Sequence, residues 1–213
     1  EFLLNIPGLE LIPVEIDPEA SEYLLEHFPV LKGKLIQADF LKLDLSLFGD
    51  KIGIIGNFPY NISSQIFFRI LDNHERVNEV VCMIQKEVAD RIISPPGKKT
   101  YGILSVLLQT WYDIEILFNV SPGSFFPVPG VRSSVIRLIR NKRTKLGCDE
   151  AFYRKLVRTA FNRRRKMLRN SIFEIMGGSV IDEIILRMRP EQLGTEEFIK
   201  LAEDIALQNT NVK

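Results

Sequence analysis

The residues of this chain best suited to chemistry are the four at Asn57-Phe58-Pro59-Tyr60. An exocyclic amine on a base or an amide has a delocalised lone pair and is a poor nucleophile. The Asn57 side-chain carbonyl and an adjacent backbone carbonyl can accept both of its hydrogens, which leaves the lone pair facing an incoming methyl group. Pro59 fixes its own φ and donates no N–H, so carbonyls face the site. Tyr60 offers a flat surface for an unstacked base, a contact worth ~1–3 kcal/mol. The same residues would also make an ordinary Asn-Pro turn after a strand, and the surroundings decide between the two.

Two acids extend the pattern. Glu15 closes an apolar run, where a carboxylate can accept hydrogen bonds from both hydroxyls of a ribose. Asp39 closes the next run, where it can accept one from an adenine amino group. Taken singly, each reads equally well as a strand-end acid, a cap or a turn-initiating residue. Together with Asn57 they place polar groups at three successive strand ends, where open α/β sheets bind ligands, and they are expected to converge on one crevice. The loop Ser124-Phe125-Phe126-Pro127-Val128-Pro129 adds two Phe and two Pro, either a stiff aromatic wall or a loop capping the core. His27 and His74 have no partners at useful spacing. Nothing resembles a Ser/His/Asp triad, a metal cluster or a P-loop.

These residues need a scaffold, and the apolar pattern supplies one. Leu9–Asp17, Lys34–Asp39, Lys51–Gly56, Val80–Ile84, Tyr112–Val120 and Ser133–Arg140 read as strands. Asp17-Pro18 is a helix start, N-cap followed by Pro, with the helix running to about His27. Helices are also expected over Ser63–Leu71, Lys86–Ile93 (stopped by Ser94-Pro95-Pro96-Gly97) and Tyr101–Thr110. Strands alternating with helices mean an α/β fold with a mainly parallel, doubly covered sheet. After Arg140 only helical periodicity remains. Leu156, Val157, Ala160, Phe161, Leu168 and Ile172 form one apolar stripe on a helix ended by Gly177-Gly178, with Arg158, Arg165 and Arg169 opposite. Arg189–Leu193 leads into a last helix near Thr195–Leu207. The expected division is an α/β domain over residues 1–146 and a small all-helical domain over 147–213.

Composition bounds the class. The 213 residues are 46% hydrophobic and 26% charged, as in an ordinary globular protein. No apolar run approaches ~18 residues, and the first residues lack the basic and apolar regions of a signal peptide. Cys82 and Cys148 lack metal-ligand spacing and read as reduced thiols of a cytoplasmic protein. The net charge of +1 hides an asymmetry: Arg132 to Asn170 holds fourteen Lys and Arg against two Asp and Glu, a net +12, leaving −11 elsewhere. Such a block is a candidate phosphate-binding face; its basic run Arg163, Arg164, Arg165, Lys166 and Arg169 also reads as an ordinary solvated face, and the +12 segment favours phosphate contact.

Six motifs in order carry a family resemblance: Val14-Glu15-Ile16-Asp17, Ala38-Asp39-Phe40-Leu41, Gly56-Asn57-Phe58-Pro59-Tyr60-Asn61-Ile62-Ser63, Gln85-Lys86-Glu87-Val88-Ala89, the Phe125–Ser133 loop and Ala160–Lys166, with Arg-Pro-Glu-Gln-Leu near the end. Over nearly its whole length the chain resembles the S-adenosylmethionine-dependent rRNA adenine dimethyltransferases of the small ribosomal subunit (the KsgA type). The resemblance implies a Rossmann-like methyltransferase sheet with a helical rRNA-contacting domain. The implied reaction transfers two methyl groups to N6 of each of two adjacent adenosines near the 3′ end of small-subunit rRNA, in ribosome biogenesis. By the family pattern Glu15 holds the cofactor ribose, Asp39 its adenine, and Ile16 and Phe40 line the adenine pocket. Asn57, also beside the cofactor, orients the target amine with the Pro59 carbonyl, while Tyr60 and Phe125 stack on the extruded base. The implied partner is small-subunit rRNA in a pre-30S particle, bound by a monomer without metal.

The chain departs from the family in three places. It begins after the point where the family has its first strand, Gly-rich cofactor loop and Gln-containing RNA segment, and transfer is expected to depend on that loop. Gly130 stands where the family usually has a basic residue, and Arg163 replaces a more usual Gln. Three other readings remain open: a large-subunit rRNA adenine methyltransferase, an amide methyltransferase acting on a protein Gln, and an rRNA-binding assembly factor without transfer activity.

Overall fold

The structure, a computed structural model, describes residues 2–210; Glu1 and residues 211–213, the outermost ends of the two expected domains, lie outside them. The chain forms two compact units, one up to Phe48 and one from Gly49 onward.

In the first unit, β1 (Val14–Glu15) pairs in parallel with β2 (Ile36–Gln37), joined by α1 (Pro18–His27). The helix starts where its cap dictates: Asp17 Oδ1 accepts from Glu19 N at 2.8 Å and Ala20 N at 3.5 Å, with Pro18 at the first helical position. Both strands are shorter than the apolar runs suggest. Pro13 cannot donate to a ladder, and Leu9–Ile12 make no strand pairing among the described residues.

The second unit is built on a four-stranded sheet in the order β3 (Ile52–Asn57), β4 (Val77–Gln85), β6 (Ser133–Arg140) and β5 (Tyr112–Val120). Only β3 and β4 are parallel; β6 runs antiparallel to both of its neighbours. The mainly parallel sheet expected here is therefore corrected. A parallel return needs a crossover of a dozen residues or more, usually a helix. The link from Val120 to Ser133 contains a single 3-10 turn at Pro122–Ser124, so β5 and β6 fold back on each other. Helices α2 (Ser63–Leu71), α3 (Lys86–Ile92) and α4 (Ile103–Trp111) connect the other strands. Their apolar faces, with Phe67, Ile70, Leu71, Val106, Leu107 and Leu108 at most 1% exposed, meet Val80, Ile84, Ile136 and Leu138 of the sheet. Each such side chain contributes about 1.5–3 kcal/mol on burial.

The helices beyond Arg140 are α5 (Glu150–Asn162), α6 (Leu168–Met176), α7 (Glu183–Arg187) and α8 (Thr195–Thr210). The six apolar residues of the expected stripe are all buried, but they belong to two helices. The helix breaks at Arg163–Met167, the segment that carries the four consecutive cations. Arg164 N to Phe161 O (3.2 Å) and Lys166 N to Arg163 O (2.8 Å) close the turns of this strap. Gly177, at φ 57°, ends α6 in the left-handed conformation that glycine adopts without a Cβ penalty. A buried hydrogen bond between Thr110 Oγ1 and Tyr153 OH, 2.8 Å, fixes α5 on α4, and Phe161 stacks on Phe198 of α8 at 5.8 Å.

Candidate active site and nucleic-acid interface

Alternation along β3 dictates how Asn57 is presented. Ile52, Ile54 and Gly56 lie on the more covered face, and Gly53, Ile55 and Asn57 on the exposed one. Phe58 then anchors the strand end: it is 6% exposed, packs edge-on against Phe67 at 5.7 Å, and its N–H donates to Met83 O at 3.0 Å. The Phe58 ring packs back over Gly56, 3.4 Å from where a Cβ would sit. Asn57 and Pro59 flank the buried ring and are exposed. The Asn57 side-chain amide has no hydrogen-bond partner among the described residues.

Tyr60 is less free. Its hydroxyl and Ser133 Oγ are hydrogen-bonded at 2.6 Å. Ser133 opens β6 opposite Gln85, the last residue of β4, so the ring is fixed over the carboxyl end of β4. The Pro59 carbonyl accepts from Ile62 N at 3.1 Å, which uses one of its two lone pairs and leaves the second for a ligand. Phe125 follows the turn at Pro122–Ser124 and is half-buried; its neighbour Phe126 is fully exposed. Lys86 N donates to Arg132 O at 2.9 Å and ties the end of this loop to the start of α3. The carboxyl ends of β3, β4 and β5 lie at the same end of the sheet as the amino end of β6, so Asn57, Tyr60 and Phe125 emerge at that end.

The first unit repeats the theme. Parallel pairing sets Glu15 opposite Gln37, and Ala38 N donates to Glu15 O at 2.9 Å. Glu15 and Asp39 thus leave neighbouring strands at the same end. Glu15 Oε1 accepts from Ile16 N (2.8 Å) and Asp17 N (2.9 Å), which leaves Oε2 without a partner among the described residues. Asp39 Oδ1 accepts from Leu41 N at 2.9 Å, and Oδ2 lies 3.7 Å from the exposed Lys42 ammonium. Ile16 is exposed and Phe40 half-buried. Two fixed carboxylates beside apolar side chains are a donor set that fits a nucleoside: acceptors for hydroxyls and an amine, and surface for a base. Among the described residues no group of three His, Cys, Asp or Glu could hold a metal ion, and no helix is long and apolar enough to cross a membrane.

The basic run builds a second feature. Phe161, Asn162, Arg163, Arg164, Arg165, Lys166 and Asn170 line an open concavity of about 660 Å³. Arg163 Nη1 donates to Asn170 O at 3.1 Å, while the exposed side chains of Arg165 and Lys166 make no ion pair among the described residues. Arg169 stands apart: it is ion-paired with Glu183 and does not line the concavity. Arg158 lies over the Phe68 ring at 5.0 Å.

His74, to which the sequence assigns nothing, is the group missed. It is 4% exposed, stacks on Trp111 at 4.0 Å, and its Nε2 lies 2.9 Å from Glu150 Oε2. Burial, then the charges of Arg140 and Arg154, pull its pKa down to about 4 against an opposing contribution from Asp72. Its partner Glu150 lies 76 residues away, a pairing that no local spacing announces. Burial likewise pushes the Cys82 thiol up to about 12, so neither it nor Cys148, raised to about 11, is poised as a nucleophile.

A strand-end Asn-Phe-Pro-Tyr site on a mixed α/β sheet with a helical part beyond it defines a methyltransferase fold, and the comparisons agree. The fold matches that of a dimethyladenosine transferase from Plasmodium falciparum, with a TM-score of 0.74 at 20% identity over 95% of this chain and 82% of that one. It also matches a 23S rRNA methyltransferase, ErmE, with a TM-score of 0.57 at 23% identity over 90% and 80% of the two chains. The family model for ribosomal RNA adenine dimethylase matches residues 10–206. The ribosomal RNA small subunit methyltransferase A of Parabacteroides distasonis is 52% identical over 204 residues, 94% of this chain and 76% of that protein. That of Porphyromonas gingivalis is 52% identical over 206 residues, covering 94% and 80%. The chain belongs to the ribosomal RNA adenine dimethylase family.

Proposed function

We propose that this chain transfers methyl groups from S-adenosylmethionine to N6 of two adjacent adenosines near the 3′ end of small-subunit rRNA, two methyl groups to each. One observation carries the reading: an exposed Asn57 amide, unpartnered among the described residues, beside a carbonyl with a spare lone pair and a Tyr ring pinned by Ser133. Asn57 Oδ1 and the Pro59 carbonyl accept the two N6 hydrogens and hold the lone pair toward the methyl donor. Tyr60 and Phe125 hold the base by stacking, which requires it to be out of any helix stack. Glu15 takes the cofactor ribose and Asp39 its adenine amino group, between Ile16 and Phe40. When bound, the cofactor supplies an electrophilic methyl group on a sulfonium sulfur. Alignment of amine and methyl accounts for much of the acceleration, an effect that can reach ~7–11 kcal/mol.

The helical part from residue 147 onward serves as the rRNA-contacting domain, with the Arg163–Lys166 concavity taking backbone phosphates. Arg169 contributes by holding α7 through Glu183. The partner is small-subunit rRNA in a pre-30S particle, met in the cytoplasm by a monomer. The relatives named for the small subunit favour this reading over a large-subunit or protein-amide substrate. The test supplies methyl-labelled S-adenosylmethionine and separated, undermethylated ribosomal subunits. Label is expected as N6,N6-dimethyladenosine in small-subunit rRNA, and its initial rate of incorporation is expected to fall by about 10²-fold or more with Asn57→Ala. Label only in the large subunit, or none in either, would overturn the proposal.

A further inference from the structure

The loop between α3 and α4, which carries Lys98 and Lys99, has no part in the reading above, yet it is fastened to the basic strap. The Lys98 carbonyl accepts two hydrogen bonds, from Tyr101 N at 3.1 Å and from Arg164 Nη2 at 3.2 Å. Glu191 grips both partners: its carboxylate lies 3.7 Å from Arg164 Nε, and its backbone carbonyl accepts from Gly97 N at 2.6 Å. Ser94 Oγ and Thr100 Oγ1, 2.7 Å apart, close the base of the loop. Gly97, at φ 83°, makes the reversal from which the two lysines project, a conformation that a side chain would strain. Lys98 and Lys99 are exposed, and neither ammonium makes an ion pair among the described residues.

Two exposed lysines are ordinary; their fixed register with the strap is not. Arg164 is half-buried and donates to a carbonyl beside a carboxylate, so its work is to join two loops. The cations left facing solvent are Arg163, Arg165 and Lys166 on one loop and Lys98 and Lys99 on the other. Glu191, the acid at the joint, lies against Arg164 instead. A chain of phosphates is the ligand class that neutralises several unpaired cations in sequence.

We propose that Lys98 and Lys99 form a second phosphate-contact station, continuous with the Arg163–Lys166 strap, so that one RNA backbone is held by two loops locked in register. The inference rests on the strap binding RNA. Binding of a labelled 3′-terminal small-subunit rRNA transcript is measured from 50 to 200 mM KCl for the full chain, for K98Q/K99Q and for R165Q/K166Q. Each phosphate contact removed lowers the salt slope by about one unit, so K98Q/K99Q should lose about sixteenfold of its affinity change over that fourfold salt range. Its thermal midpoint should stay where it is, because neither side chain is buried or paired. If K98Q/K99Q keeps the full slope while R165Q/K166Q loses part of it, this proposal is overturned and the RNA reading stands. If neither variant alters the slope, the RNA reading fails and this inference fails with it.

Discussion

At the scale of single residues, the site separates positioning from stacking, and substitutions can resolve the two. Asn57 touches nothing that the fold needs, whereas Phe58 next to it is an anchor in the core. Asn57→Ala is expected to leave the thermal midpoint unchanged and lower kcat by about 10²-fold or more, since misplacement of a reacting group costs that much. S-adenosylmethionine affinity, read by calorimetry, reports separately on Glu15 and Asp39. Tyr60 contributes a ring and a tether. Tyr60→Phe keeps the stacking surface and loses only the 2.6 Å contact with Ser133. Tyr60→Ala removes the ring as well, and its additional loss in RNA-dependent rate should correspond to ~1–3 kcal/mol. Equal losses in the two variants would show that the hydroxyl, not the ring, is what matters.

Among the elements, the Asp17-Pro18 start and His27 end of α1 were legible in the chain, as were the bounds of β5 and β6, because caps and runs of alternating residues are local signals. Asn57, Glu15 and Asp39 could be placed at strand ends for the same reason. The direction of β6 was not read, although the 12-residue link before it lacks a crossover helix. The division of the long apolar stripe into α5 and α6 was missed too: apolar spacing continues through the break, and only the like-charge run marks it. Joints between distant segments left no trace in the sequence. Arg154 is one of these: from α5 it donates to Leu71 O at the end of α2 and pairs with Asp72 and Glu150. It gives a helix-terminal carbonyl, which also accepts from His74 N at 3.4 Å, a second and shorter hydrogen bond. Arg154→Ala should lower unfolding free energy by about 1–3 kcal/mol in urea titrations, with methyl-donor binding intact.

For the molecule as a whole, the charge asymmetry and the buried polar joint meet at the same helices. The stretch of net +12 runs from β6 through α5 to the start of α6; burial first, and then the charges of Arg140 and Arg154 from that stretch, hold His74 neutral. The His74 carbonyl accepts from Arg140 Nε at 3.0 Å, and the Arg140 guanidinium also lies over Trp111 at 4.8 Å. In the unfolded chain His74 takes up a proton near its ordinary value of 6.5, while in the folded protein it resists until about 4. The unfolded state therefore binds more protons between those limits, and stability falls as pH drops. The contribution is fully present above 6.5, shrinks through the window from 6.5 to 4, and changes no further below it. Urea unfolding at pH 7.5, 5.5 and 4.5 should show a steeper loss of stability for the native sequence than for His74→Phe, by up to one proton across that window. Parallel pH curves for the two proteins would mean that Glu150, at 2.9 Å, holds the imidazole charged and that the joint is an ion pair instead.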